Sequence, residues 1–140
     1  MTAVQPYRTL STVLYVLSVL EVIAGLVLVF ASGWVLSMAP ASLGLPTTGL
    51  VMVFLKALGI IAIGIAYLLC VTARDPVRHV AVIDTLVFFL LASALLNAYS
   101  IWSLHIGTYF PANYIIVRIV VAVILAAVLI GLRPKAVSPS

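Results

Sequence analysis

Four uninterrupted apolar segments dominate this chain and constrain its fold more than any other feature. They run over residues 10–31, 50–72, 76–106 and 111–132. A membrane-spanning helix needs about 20 mainly apolar residues, so each segment is long enough to cross a bilayer. Because the runs are continuous rather than short and alternating, helices are favoured over barrel strands. The sequence therefore predicts an all-α integral membrane protein, a four-helix transmembrane bundle.

The scarcity of charge leads to the same class. Of the 140 residues, 66% are hydrophobic and 7% are charged, whereas a soluble domain has roughly 45–50% apolar and about 25% charged residues. So few charges cannot cover a soluble domain, which excludes a secreted scaffold, a nucleic-acid-binding domain and a disordered tail. The single cysteine, Cys70, excludes an intramolecular disulfide and a paired-cysteine redox site. The length predicts one transmembrane domain over residues 1–140.

Basic residues predict the orientation. The flanks on the side of both termini contain five of them, whereas the two loops on the other side contain none. The five are Arg8, Arg74, Arg78, Arg133 and Lys135. By the positive-inside rule, both termini are expected to be cytoplasmic, in a bacterial inner membrane or an equivalent one.

Two local patterns predict how the segments begin and end. Asp75 and Pro76 are expected to be the N-cap and the first residue of the third helix, because proline lacks an N–H that would be unpaired there. The loop over residues 32–49 is uncharged and rich in Gly, Pro, Ser and Thr. We expect it to lie in the outer interface of the membrane.

Each predicted helix contributes one polar side chain to the outer half of the membrane: Glu21, Lys56, Asn97 and Arg118. Ionisable groups within a bilayer are costly and are therefore candidate functional residues. The segment bounds place Lys56 and Arg118 roughly 10 Å deep and Glu21 about 5 Å deeper, within reach of a long basic side chain. The four residues are predicted to form one intramembrane polar cluster.

Glu21 also lies beside a stripe of small residues. Ser11, Ser18, Gly25 and Ser32 recur every seven residues, and Glu21 follows Ser18 by three. Such a stripe is a face that another helix can approach closely. We therefore expect Glu21 to point into protein rather than into lipid.

Two interpretations of the polar cluster stay open. In the first, an ion-pair network fixes how the helices align, and Lys56 or Arg118 extends to the outer lipid phosphates. In the second, the cluster is a site for a solute, a proton or a quinone, and Glu21 is the group that titrates. With all groups ionised the cluster carries one net positive charge, which suits an anionic ligand.

Asp84 and His105 are two further candidates. Asp84 lies near the cytoplasmic end of its span and is predicted to form an ion pair with Arg8, Arg78 or Arg133. His105 is a candidate ligand for a pigment or metal supplied by a partner. His79 and His105 are about 39 Å apart on one helix, so they cannot share a metal or haem. No metal site of this chain's own is predicted.

The stretch from Lys56 to His79 begins with a basic residue, Lys56, just before Leu58-Gly59. Gly64 and Tyr67 follow, and the stretch closes with a turn that reads Arg74-Asp75-Pro76 and then Arg78-His79. This pattern resembles small bacterial membrane proteins of the DoxX-like group. The resemblance implies four spans, both termini inside, and a role that is in some members linked to respiratory or quinone chemistry.

Residues 20–34, with Glu21, resemble the first helix of small multidrug resistance transporters, in which a membrane-embedded Glu binds protons and cationic drugs. In those transporters the basic residues are distributed almost evenly between the two sides of the membrane, whereas here five lie on one side and none on the other.

The chain leaves little outside its four segments, and it contains no Ser-His-Asp set, phosphate loop or HExxH motif. We therefore predict no enzymatic activity and no cofactor, although contact with lipid, quinone or pigment stays open. The leading hypothesis is an accessory or assembly subunit of a larger membrane complex, respiratory or photosynthetic. The alternatives are a small proton- or solute-coupled transporter that uses Glu21, and a quinone-linked DoxX-like protein. The predicted partners are lipids and other membrane subunits or further copies of the chain, without nucleic acid.

Overall fold

The structure, a computed structural model, describes residues 7–38, 49–103 and 112–134. The described residues form α1 (Arg8–Phe30), α2 (Ser32–Ser37), α3 (Gly49–Arg74), α4 (Val80–Ser103) and α5 (Ala112–Leu132). Helices α1, α3, α4 and α5 are each long and apolar enough to cross a membrane. The predicted fold class is confirmed: this is an all-α protein with four candidate membrane spans.

The third span begins later than the sequence predicts. The Asp75 carboxylate accepts a hydrogen bond from the Arg78 N–H at 3.1 Å, as a capping residue does. Residues 76–79 nevertheless form a separate turn, and α4 starts at Val80. The cap closes one tight turn. The hydrogen bonds of α4 begin with the one from the Ile83 N–H to the His79 carbonyl oxygen. The predicted end of this span at residue 106 lies outside the described residues.

A short helix, α2, follows α1 where the sequence suggested only an interfacial loop. The Ala31 N–H donates to the Val27 carbonyl oxygen at 2.8 Å, and the Val35 N–H donates to the Ala31 carbonyl oxygen at 3.0 Å. Hydrogen bonding therefore continues through the junction, while the backbone of Ala31 departs from helical geometry, at φ −116° and ψ 26°. The chain bends here, at the end of the apolar run.

The chain divides into two compact units. The first is Leu14–Val71, and the second combines Met1–Val13 with Thr72–Ser140. Most of α1 and α3, together with α2, belongs to the first unit. The second contains the opposite ends of α1 and α3, together with α4 and α5.

In the first unit, α1 and α3 meet backbone to backbone at two glycines. A Cβ atom added to Gly25 would lie 2.7 Å from the Gly59 carbonyl oxygen, and one added to Gly59 would lie 2.7 Å from the Gly25 carbonyl oxygen. Seven residues earlier on α1, the Ser18 hydroxyl donates a buried hydrogen bond to the Ala66 carbonyl oxygen at 2.8 Å. Since Ala66 lies seven residues after Gly59, the two helices run antiparallel in a fixed register.

The seven-residue spacing explains this contact. Ser18, Gly25 and Ser32 are all buried, as are Gly59 and Ala66 on the facing helix. A strict seven-residue repeat keeps one seam of each helix facing its partner in a left-handed crossing. Small residues on that seam allow the close approach that stabilises membrane helix pairs. The expectation that the stripe on α1 is a helix-contact face is confirmed.

In the second unit, α4 packs against α5. The Arg133 guanidinium binds the Asp84 carboxylate through two hydrogen bonds, Nε to Oδ1 at 2.6 Å and Nη2 to Oδ2 at 2.7 Å. This pair joins the start of α4 to the end of α5, as antiparallel neighbours require. The buried apolar side chains of the two helices include Ile83, Ala94, Ile115, Ala126 and Leu129.

Candidate functional site

Glu21 and Lys56 both belong to the first unit, and the helix register separates them. Glu21 lies between Ser18 and Gly25, which places it level with Ile63 on α3. Lys56 is seven residues from Ile63, or about 10 Å along the helix axis. Side chains tilt towards the start of their helix, so that of Lys56 leads away from Glu21. The difference in depth between Glu21 and Lys56 is therefore about 10 Å, larger than the expected 5 Å or so. The contact between small residues, and not the ends of the apolar segments, fixes how the two helices align.

Glu21 lies near the middle of its span and has no polar partner within its unit. It is thirteen residues from the start of α1 and nine from its end, or about 20 Å and 13 Å along the axis. The side chain is half-buried. Among the described residues of the first unit, no group forms a hydrogen bond or an ion pair with the Glu21 carboxyl. Lys56 is exposed and likewise has no ion-pair partner there.

Asn97 and Arg118 belong to the second unit, and each interacts within its own helix. The Asn97 amide nitrogen donates to the Ser93 carbonyl oxygen at 2.8 Å and lies 3.4 Å from the Ser93 hydroxyl. The Arg118 guanidinium carbon lies 6.0 Å from the centre of the Tyr114 ring, one turn nearer the start of α5. This is a cation–π distance, and the direction is that of a side chain extending towards the membrane surface.

The four residues of the predicted cluster therefore belong to two different units, with two residues in each. The Asp84–Arg133 pair sets an antiparallel register that puts Asn97 about 3 Å along the axis from Arg118. No hydrogen bond links the two among the described residues of that unit. A common site for all four residues stays a prediction.

Asp84 pairs with the third of its expected partners, Arg133, and not with Arg8 or Arg78. The packing of α4 on α5 explains this choice, because it brings the residue after α5 beside the fifth residue of α4. The Arg78 backbone N–H binds Asp75, and within the described part of this unit neither the Arg8 nor the Arg78 guanidinium forms an ion pair. Hydrogen bonding to Asp84 raises the pKa of the Arg133 guanidinium above its usual value.

The candidate ligand for a pigment or metal stays a prediction. His105 lies outside the described residues. Within residues 7–38, 49–103 and 112–134, no three His, Cys, Asp or Glu side chains group as a metal site. The described surface includes a shallow apolar groove along one helix, lined by Tyr15, Val16, Val19 and Leu20.

The sequence interpretation missed the matching stripe on α3. Gly59, Ala66 and Ala73 recur every seven residues, as the small residues of α1 do. Comparing the spacing of the two segments would have predicted their pairing. The level of Glu21 relative to Lys56 would have followed from it.

No family model, no curated protein and no solved structure matches this chain. The similarity to the DoxX-like group therefore stays a prediction.

Proposed function

We propose that this small integral membrane protein is a non-catalytic accessory or assembly subunit of a larger membrane complex. In this proposal both termini face the cytoplasm, in a bacterial inner membrane or its equivalent. The observation that carries the proposal is Glu21, a half-buried carboxyl near the middle of a span with no polar partner among the described residues of its unit.

A carboxyl in the middle of a span is costly unless a polar partner binds it. A charged side chain at the centre of a span costs roughly 3 kcal/mol on insertion scales, and a neutral carboxyl still needs hydrogen bonds. Lipid tails offer none. A helix of another subunit that presents a hydrogen-bond donor or a cation beside Glu21 would satisfy the carboxyl and hold the two chains together.

Lys56 supports the same interpretation. It is exposed on α3 and lies seven residues after the start of that helix, about 10 Å along the axis from Gly49. Because Glu21 does not neutralise it, Lys56 is available to an acidic side chain of a partner or to a lipid phosphate. Two unpaired charges of opposite sign, at different depths, would specify both the partner and its alignment.

Purification tests the proposal. The chain is extracted from its native membrane in a mild detergent, and mass spectrometry identifies the proteins and small molecules that accompany it. We expect stoichiometric membrane subunits, whose amount falls at least fivefold in a Glu21→Leu variant. Ile23→Ala, at a lipid-exposed position of the same helix, is the matched control and should retain them. A chain that elutes alone or only with copies of itself contradicts the proposal.

A small proton- or solute-coupled transporter is the second candidate, and the same carboxyl favours it. Purified chain in proteoliposomes should then show a flux that Glu21→Gln abolishes and Glu21→Asp retains in part. A flux that survives Glu21→Gln unchanged would rule out this alternative. Quinone that accompanies the purified chain would instead support the DoxX-like interpretation.

A further inference from the structure

One end of the second unit presents three arginines without acidic partners. Arg8 begins α1, Arg74 ends α3, and Arg78 lies in the turn that follows. All three side chains are exposed, and none forms an ion pair among the described residues of this unit. We call these three residues the arginine group.

The helix register brings the arginine group to one level. Helices α1 and α3 are antiparallel, so the start of α1 and the end of α3 lie at the same end of the pair. The spacing that aligns Gly25 with Gly59, continued along both helices, puts Arg8 about 3 Å beyond Arg74, the last residue of α3. Residues 1–13 and 72–140 also belong to a single compact unit.

The nearby acidic groups do not neutralise the arginine group. The Asp84 carboxylate binds the Arg133 guanidinium at 2.6 Å and 2.7 Å. The Asp75 carboxylate accepts the Arg78 backbone N–H at 3.1 Å and forms no ion pair with a described side chain. A local excess of positive charge therefore remains where the apolar helices end.

We propose that the arginine group binds the phosphate of an anionic phospholipid in the leaflet at this end of the helices. Guanidinium groups bind phosphate oxygens through paired hydrogen bonds, and basic residues beside the ends of spans recognise anionic headgroups. Val77 lies between Arg74 and Arg78 and is 50% exposed. An apolar side chain among the arginines suits a lipid, whose glycerol and acyl chains adjoin its phosphate, better than a free anion.

Native mass spectrometry of the purified full chain tests this site with two lipids of matched acyl chains, phosphatidylglycerol and phosphatidylcholine. We expect phosphatidylglycerol to bind more tightly. The Arg74→Gln/Arg78→Gln double variant should weaken its binding about 25-fold, because each basic residue near an anionic surface contributes roughly fivefold. Arg74→Lys/Arg78→Lys keeps the charge but not the paired hydrogen bonds and should retain part of the preference, which separates loss of charge from loss of fold.

A second double variant, Asp84→Asn/Arg133→Gln, is the control, because it removes an arginine that an acidic side chain already neutralises and leaves the net charge unchanged. It should retain the preference for phosphatidylglycerol. Equal binding of the two lipids overturns the proposal, as does an equal loss in the Arg74→Gln/Arg78→Gln variant and in this control. Competition by millimolar inorganic phosphate alone would assign the site to a free anion and would also overturn it.

Discussion

Replacement of Gly25 by alanine tests the close contact between α1 and α3. The new Cβ would lie 2.7 Å from the Gly59 carbonyl oxygen and 2.7 Å from Ile63 Cγ1. The Ile63 side chain can rotate away at little cost, whereas the Gly59 oxygen is backbone and moves only with its helix. An ordinary van der Waals separation of at least 3.4 Å therefore requires the helices to move apart by about 0.7 Å, and the Ser18–Ala66 hydrogen bond must lengthen with them.

The expected magnitude follows from three contributions. Overpacking a well-packed contact costs typically 1–3 kcal/mol. Weakening one hydrogen bond between membrane helices costs about 0.6 kcal/mol. Alanine regains roughly 0.5–1 kcal/mol because it loses less conformational freedom in a helix than glycine does. The free energy of unfolding should therefore fall by roughly 1–3 kcal/mol.

Unfolding of the purified protein by sodium dodecyl sulfate in mixed micelles, followed by circular dichroism, measures this change. Gly64→Ala is the control, because nothing lies within 4 Å of a Cβ added there. That variant should match the parent protein or be slightly more stable. The Gly25→Ala/Gly59→Ala double variant should lose less than the sum of the single variants, since one separation of the helices relieves both clashes. If Gly25→Ala proves as stable as Gly64→Ala, the inferred contact is wrong.

Three smaller effects are also expected. Ser18→Ala removes the hydrogen bond to Ala66 and should lower the free energy of unfolding by about 0.6 kcal/mol, and by no more than about 1.7, in the same micelle assay. Asp84→Arg should lower the Tm by at most a few degrees, because its ion pair is partly exposed; Arg133→Asp added to it should restore the Tm. Asn97→Ala, whose amide bonds only within its own helix, should leave α4 helical and change the Tm little, as circular dichroism would show.

The sequence suffices for the features that follow from local chemistry. Continuous apolar length predicts the four spans, and the spacing of Ser18, Gly25 and Ser32 predicts the contact face of α1. Asp75 caps the Arg78 N–H, although it closes a separate turn and does not begin the helix as expected. These features depend on one stretch of chain at a time, so no knowledge of the neighbouring helices is needed.

The sequence alone does not predict the features that depend on two helices together. The partner of Asp84 follows from the packing of α5 on α4, and three arginines were equally plausible before that packing was known. The depth of Glu21 relative to Lys56 follows from the glycine contact rather than from the segment ends. The four-residue shift in the start of α4 was not predicted for a local reason, because the same cap can open a helix or close a separate turn.

The equal spacing of the two stripes allows a second alignment of α1 and α3, displaced by one repeat. In that alignment Glu21 would be level with Lys56, but Gly25 would face Met52 instead of Gly59. The native alignment therefore favours direct backbone contact over an ion pair inside the chain. Its consequence is that neither charge neutralises the other, so each is left to a group outside this helix pair.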